Sequence, residues 1–158
     1  MIDDIRQGLF FGLNSGVITT TGLISGLVQT KISYNLLIIS IISLAISDSA
    51  SEAYGLYLSK KAEDIKDFSS GPLYSLIALF ITKFVIVISF LIPLLFTKDL
   101  KVFKNMTWVL GWGIFLLIIL DLQLCSMRDE TLVEYIVPHL IVLGLVVVLT
   151  RYFGNMIK

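Results

Sequence analysis

Apolar residues run almost without interruption over five stretches of this chain, at roughly 8–28, 35–58, 73–96, 106–127 and 133–153, and polar residues gather in the short breaks between them. Each stretch is long enough to cross a hydrocarbon core of about 30 Å as a helix of about 20 residues. The pattern predicts an all-α integral membrane protein, five transmembrane helices in one bundle, forming a single domain over 1–158. The breaks leave no room for a soluble module. Ser59 to Pro72 reads as a short helical extension and a Ser-Gly-Pro turn, and Lys98, Asp99, Lys101 and Lys104 read as a solvated loop. Trp108 and Trp112 beyond that loop fit an interfacial aromatic belt. The opening Met1-Ile2-Asp3-Asp4-Ile5-Arg6 is acidic and no small-residue cleavage site follows the first apolar run, so that run is expected to stay as a helix.

The polar residues inside the stretches carry the chemistry. Asp48 and Glu52 lie four apart in the second, so on a helix they share one face, a turn apart. An ionisable group at mid-membrane costs about 2.5 kcal/mol or more and marks a functional site by default. The third stretch contains Lys83, expected to neutralise a carboxylate on another helix, and Pro93, which frees the carbonyl of Ser89. The fourth holds Asp121 with Cys125 on the same face, and the fifth holds His139 after Pro138. In the first, Gly8, Gly12 and Gly16, then Gly22 and Gly26, repeat every four residues, a ridge that lets helix backbones approach closely. Asn14, Ser15, Thr19 and Thr20 offer oxygen atoms there, either to a ligand or, as membrane Ser and Thr usually do, to the preceding turn.

With alternating helix directions, counting inward at about 1.5 Å per residue puts Asn14, Ser15, Glu52, Asp121 and His139 about 9 Å from the N-terminal side, and Asp48 and Lys83 about 15 Å from it. Every helix therefore contributes polar groups to the same half of the bilayer. Three acids against one lysine leave an excess of negative charge that suits a divalent cation or protons in its place.

Composition sharpens this picture by exclusion. The chain is 56% hydrophobic, with a mean hydropathy of +0.91. Twelve Lys and Arg balance twelve Asp and Glu, and the cations lie in the breaks, which argues against nucleic acid as a partner. The two sides are too evenly charged for basic residues to set orientation. Cys125 is the lone cysteine, a small packing residue. No nucleophile–base spacing or metal-hydrolase motif occurs, so an enzyme is not expected.

Two stretches resemble the vacuolar iron transporter family of five-helix carriers. Gly12-Leu13-Asn14-Ser15-Gly16-Val17-Ile18-Thr19-Thr20 is similar to that family's G-L-N-D-G-I-I-T-T, and Asp48-Ser49-Ala50-Ser51-Glu52-Ala53-Tyr54-Gly55-Leu56-Tyr57-Leu58-Ser59 to D-A-I-S-M-A-A-G-E-Y-L-S. Gly71-Pro72, Pro93-Leu94-Leu95 and Gly154 also fit. Ser15 stands where the family has an acid, Glu52 where it has methionine and Leu56 where it has glutamate, and the cytoplasmic metal-binding domain of some members has no room here. The resemblance implies a minimal, divergent carrier: a homodimer with a cytosolic N-terminus that exports divalent iron or manganese in exchange for protons. Carboxylate in place of thioether at 52 favours harder cations such as Fe²⁺ or Mn²⁺.

The expectation is therefore a transporter of Fe²⁺ or Mn²⁺ by proton antiport, without a resident cofactor. Its metal ligands would be Asp48, Glu52, Asp121 and Asn14, with His139, Lys83 and Ser15 supporting them or carrying protons. Its place would be the cell membrane of a prokaryote, or a vacuolar or other endomembrane of a eukaryote. The alternative is a non-transporting interaction protein that keeps the same fold.

Overall fold

The computed structural model describes residues 2–63, 71–97, 107–128 and 131–157, and within them the chain is helical apart from short turns. The helices are α1 (Ile2–Leu27), α2 (Tyr34–Glu63), α3 (Gly71–Ser89), α4 (Leu91–Thr97), α5 (Thr107–Arg128) and α6 (Leu132–Met156). Lys98, Asp99, Lys101 and Lys104 lie outside the described residues.

Local signals set the helix ends. Ser33 starts α2: its Oγ accepts from the Leu36 N–H at 3.3 Å and its carbonyl from the Leu37 N–H at 3.0 Å, as an N-cap does. At the start of α6 the Thr131 N–H donates to Glu134 Oε2 at 3.2 Å, which answers one of the donors a helix start leaves unpaired. The third apolar stretch is two helices, not one. Phe90 forms a turn between α3 and α4, and Pro93 falls in the first turn of α4, where its missing N–H costs nothing. Pro138 instead stays inside α6, which runs on unbroken.

Among the described residues four segments are long and apolar enough to cross a membrane: Tyr34–Ala62, Gly71–Phe96, Thr107–Met127 and Leu132–Met156. The first expected span is not among them, although α1 is 26 residues long. The reason is where α1 sits. It packs against α2 and α3 and also against α5 and α6, so two helix pairs that each pack together share it between them. Gly8, Gly12, Gly16, Thr20, Thr21, Gly22 and Ser25 are all buried. A helix covered by neighbours on several sides does not need the apolar surface that lipid demands.

The rest of the molecule has the polarity of a membrane bundle. Ile39, Ile77, Ile81, Val85, Ile141, Leu145 and Val148 face outward, while Ser49, Ser75, Lys83 and Asp121 are fully buried. The apolar core passes through Val17 and Ile24 of α1, Leu37 and Ile41 of α2, Val87 of α3, Leu117 of α5 and Leu143 of α6.

The glycine ridges bring the helices close. A Cβ on Gly8 would lie 2.5 Å from the Ser75 carbonyl, and one on Gly12 would lie 2.8 Å from that of Leu79. Gly16 meets Ile86 and the Lys83 stem, so the first ridge seats α1 on α3. Gly22 and Gly26 face Val146 and Thr150, and Gly154 abuts the Gly26 carbonyl, so the second ridge seats α1 on α6. Contacts this close let dispersion and weak polar interactions act between backbones.

Candidate functional site

The packing of α3 on α2 places Lys83 beside the acidic face of α2. Its ammonium lies 2.6 Å from Asp48 Oδ2 and 2.7 Å from Glu52 Oε1. These are ion-pair distances without the angles of directed hydrogen bonds, so charge holds the group together. Lys83 is fully buried, whereas the carboxylate side chains keep 26% and 28% of their surface exposed. On its other oxygen Glu52 accepts from the Ser15 hydroxyl at 2.6 Å. Three helices thus converge on one cationic centre. Spacing of four on α2 brings both acids to it, and the missing Cβ of Gly12 and Gly16 leaves α1 room to approach the turn that carries it.

The hydroxyls of α1 divide between two roles. Thr19 donates to the Ser15 carbonyl at 2.8 Å and Thr20 to that of Gly16 at 2.6 Å, both in the preceding turn. Ser15 alone of these reaches a carboxylate. The Asn14 Oδ1, also on α1, is buried with no hydrogen-bond partner among the described residues.

A second cluster lies between α5 and α6. His139 Nδ1 is 2.7 Å from Asp121 Oδ1, with Asp121 fully buried and the His139 side chain 19% exposed. The second carboxylate oxygen, Oδ2, is buried without a hydrogen-bond partner among the described residues. Asp121 therefore stands with His139, apart from Asp48 and Glu52. Among the described residues no three of His, Cys, Asp and Glu come together closely enough to hold a metal ion.

One further ionic contact was not foreseen from the sequence. Lys60 Nζ donates to Asp4 Oδ1 at 2.6 Å, the Ser75 hydroxyl donates to the Asp4 carbonyl at 2.9 Å, and the Asp4 carboxylate lies against Gly71. This residue clasps the start of α1, the end of α2 and the start of α3, where a helix N-terminus favours negative charge. The Lys60 ammonium lowers the Asp4 carboxyl from 3.8 to about 2. A readable signal did exist. Asp4 lies four residues before the first apolar run and Lys60 two residues after the second, on helices that share an end.

Comparison with known proteins adds nothing to this geometry. No protein-family model, curated protein or solved structure matches the chain. The residues themselves must carry the functional reading.

Proposed function

We propose that this chain is a membrane transporter of a divalent metal cation, Fe²⁺ or Mn²⁺, moved out of the cytosol in exchange for protons, with Asp48 and Glu52 as the binding carboxylates. One observation carries the reading: two partly exposed carboxylates from one helix converge on a single buried positive charge in an otherwise apolar bundle. That is the arrangement a cation site needs, with an ammonium holding the position. A divalent cation entering from the exposed side of the carboxylates takes over contacts that Lys83 makes at rest. Ser15 keeps Glu52 oriented, and Asn14, on the same turn of α1 and with an unpartnered buried oxygen, is a further donor of the hard type such cations prefer. Asp121 and His139 form a separate acid–base pair suited to passing protons. In this reading α1 is a fifth crossing helix, its polar faces covered by its neighbours, and two copies form the working unit.

A second reading has support of its own. Lys83 neutralises one acid and shares the other, and Asp121 already has His139, so the polar groups also satisfy one another as a packing device would. Uptake of Mn²⁺ by purified protein in liposomes, with an ionophore control, decides between the two. Transport by the wild type that is lost in Asp48→Asn and in Glu52→Gln supports the carrier. No uptake by folded wild-type protein removes it in favour of the packing reading.

A further inference from the structure

At the end of the bundle that holds the Asp4–Lys60 clasp, the start of α1 and the last turns of α5 border a groove of about 480 Å³. Its lining changes character with depth. Arg6 of α1 and Gln123 and Ser126 of α5 supply the polar side chains, while Leu9 and Phe10 lie about one turn further into α1 and Leu122 one turn further into α5 than Ser126. The polar groups at the mouth are largely unspent. Among the described residues Arg6 meets one carboxylate, that of Asp3, across 3.7 Å, and Asp3 is almost wholly exposed, so the contact contributes little. The neighbouring acid Asp4 is already held by Lys60 at 2.6 Å. Gln123 and Ser126 are exposed and have no hydrogen-bond partner among the described residues.

A guanidinium fork, an amide and a hydroxyl on one groove present donors to several oxygens at once, and the fork matches a phosphate in two-point contact. The apolar wall says what the phosphate is attached to. Leu9 and Leu122 are exposed just inside the polar mouth, a surface that a soluble anion would leave bare and an acyl chain would cover. Polar at the helix ends and apolar toward mid-membrane, the groove follows the order of chemistry along a phospholipid, and basic pockets between membrane helices take lipid headgroups. We infer that the α1/α5 groove binds a membrane glycerophospholipid, its phosphate at Arg6, Gln123 and Ser126 and one acyl chain along Leu9, Phe10 and Leu122. The site is independent of cation transport and stands or falls separately from it.

Delipidated full-length protein in detergent, titrated with dioleoyl phosphatidylglycerol and followed by native mass spectrometry, should form a one-to-one adduct. Dioleoylglycerol, which has the chains without the phosphate, and glycerol 3-phosphate, which has the phosphate without the chains, should each bind at least about tenfold more weakly. Arg6→Met, at an exposed side chain whose loss leaves the fold intact, should weaken the phospholipid adduct about tenfold. Ser126→Leu, which closes the mouth from α5, should weaken it as well. Arg151→Met, on α6 near its far end, is the control for general attraction between basic protein and anionic lipid, and should leave the adduct unchanged. Equal binding of dioleoylglycerol overturns the inference in favour of a purely apolar groove, and equal binding of glycerol 3-phosphate overturns it in favour of a soluble anion. An adduct that survives Arg6→Met, or that falls equally in Arg151→Met, overturns it, as does wild-type protein that forms no adduct.

Discussion

The two polar clusters on either side of α1 are built from similar parts and differ in what holds the charge. Beside α2 and α3, a fully buried ammonium faces two carboxylates that retain surface. Between α5 and α6 the burial is reversed: the carboxylate is fully buried and the basic partner, an imidazole, keeps some exposure. The first cluster has an ammonium as its centre and acids as its accessible rim, the arrangement on which the proposed cation site rests. The second has an acid as its centre and an imidazole as its rim, the pair to which the proposed function gives the protons. Similar residue types are buried in the opposite order, and the proposed function gives them different tasks.

The largest expected effect comes from removing the cationic centre. Lys83→Met leaves two carboxylates facing each other a turn apart and should lower stability by about 3 kcal/mol, read as thermal unfolding in detergent. Adding Asp48→Asn or Glu52→Gln should recover much of that loss, because it removes the stranded charge. Strictly additive losses in both double variants would mean that Lys83 is not the shared partner.

Next comes the seat that brings the first cluster together. Gly12→Leu drives a side chain into the Leu79 carbonyl and should cost about 2–3 kcal/mol, separating α1 from α3 and with it Ser15 from Glu52. Gly144→Leu is the matched control, since its Cβ meets nothing within 4 Å and stability should hold. Equal losses in the two variants would show that the ridge does not carry the contact.

The second cluster should yield less. His139→Ala removes the partner that Asp121 Oδ1 has among the described residues and should cost about 1–2 kcal/mol, while leaving intact the Mn²⁺ binding proposed for the first cluster. Loss of metal binding in a folded variant would join the two clusters functionally and erase the division of labour. The smallest effect belongs to the clasp outside the apolar core. The Asp4 carboxyl is lower in the folded chain than its ordinary value, so its contribution is present above about pH 4 and fades as pH falls toward 2. Lys60→Met should cost less than about 1 kcal/mol at neutral pH and flatten the stability profile over that acid window.

The helices were legible because lipid-facing residues must be apolar, and their runs mark every crossing candidate to within a few residues. The pairing of Lys83 with acids on another helix was legible too, since an ammonium so placed has few alternatives. The break at Phe90 was less so, because Pro93 signals a disturbance without saying that the helix ends four residues earlier, at Ser89. Grouping Asp121 with Asp48 and Glu52 rested on depth alone, and depth says nothing about which side of α1 a residue occupies. A finer signal was present. Asp121 and His139 are equally far from residue 130, between the end of α5 and the start of α6, so two antiparallel helices set them opposite each other. The glycine spacing promised close contact but could not name α3 and α6 as the surfaces met, because small residues carry no information about their partner.

The shared position of α1 also fixes an order of events. Its first ridge can dock on α3 once that helix is made, but Gly22 and Gly26 wait for α6, and the Ser25 hydroxyl reaches the Val147 carbonyl across 122 residues of chain. Contacts so distant in sequence close late and slowly. During synthesis, therefore, the earliest helix stays half uncovered until the last one arrives, and a chain interrupted before Leu132 would keep an open, backbone-lined seam along α1. Quality control that senses unfinished membrane proteins would find its signal there.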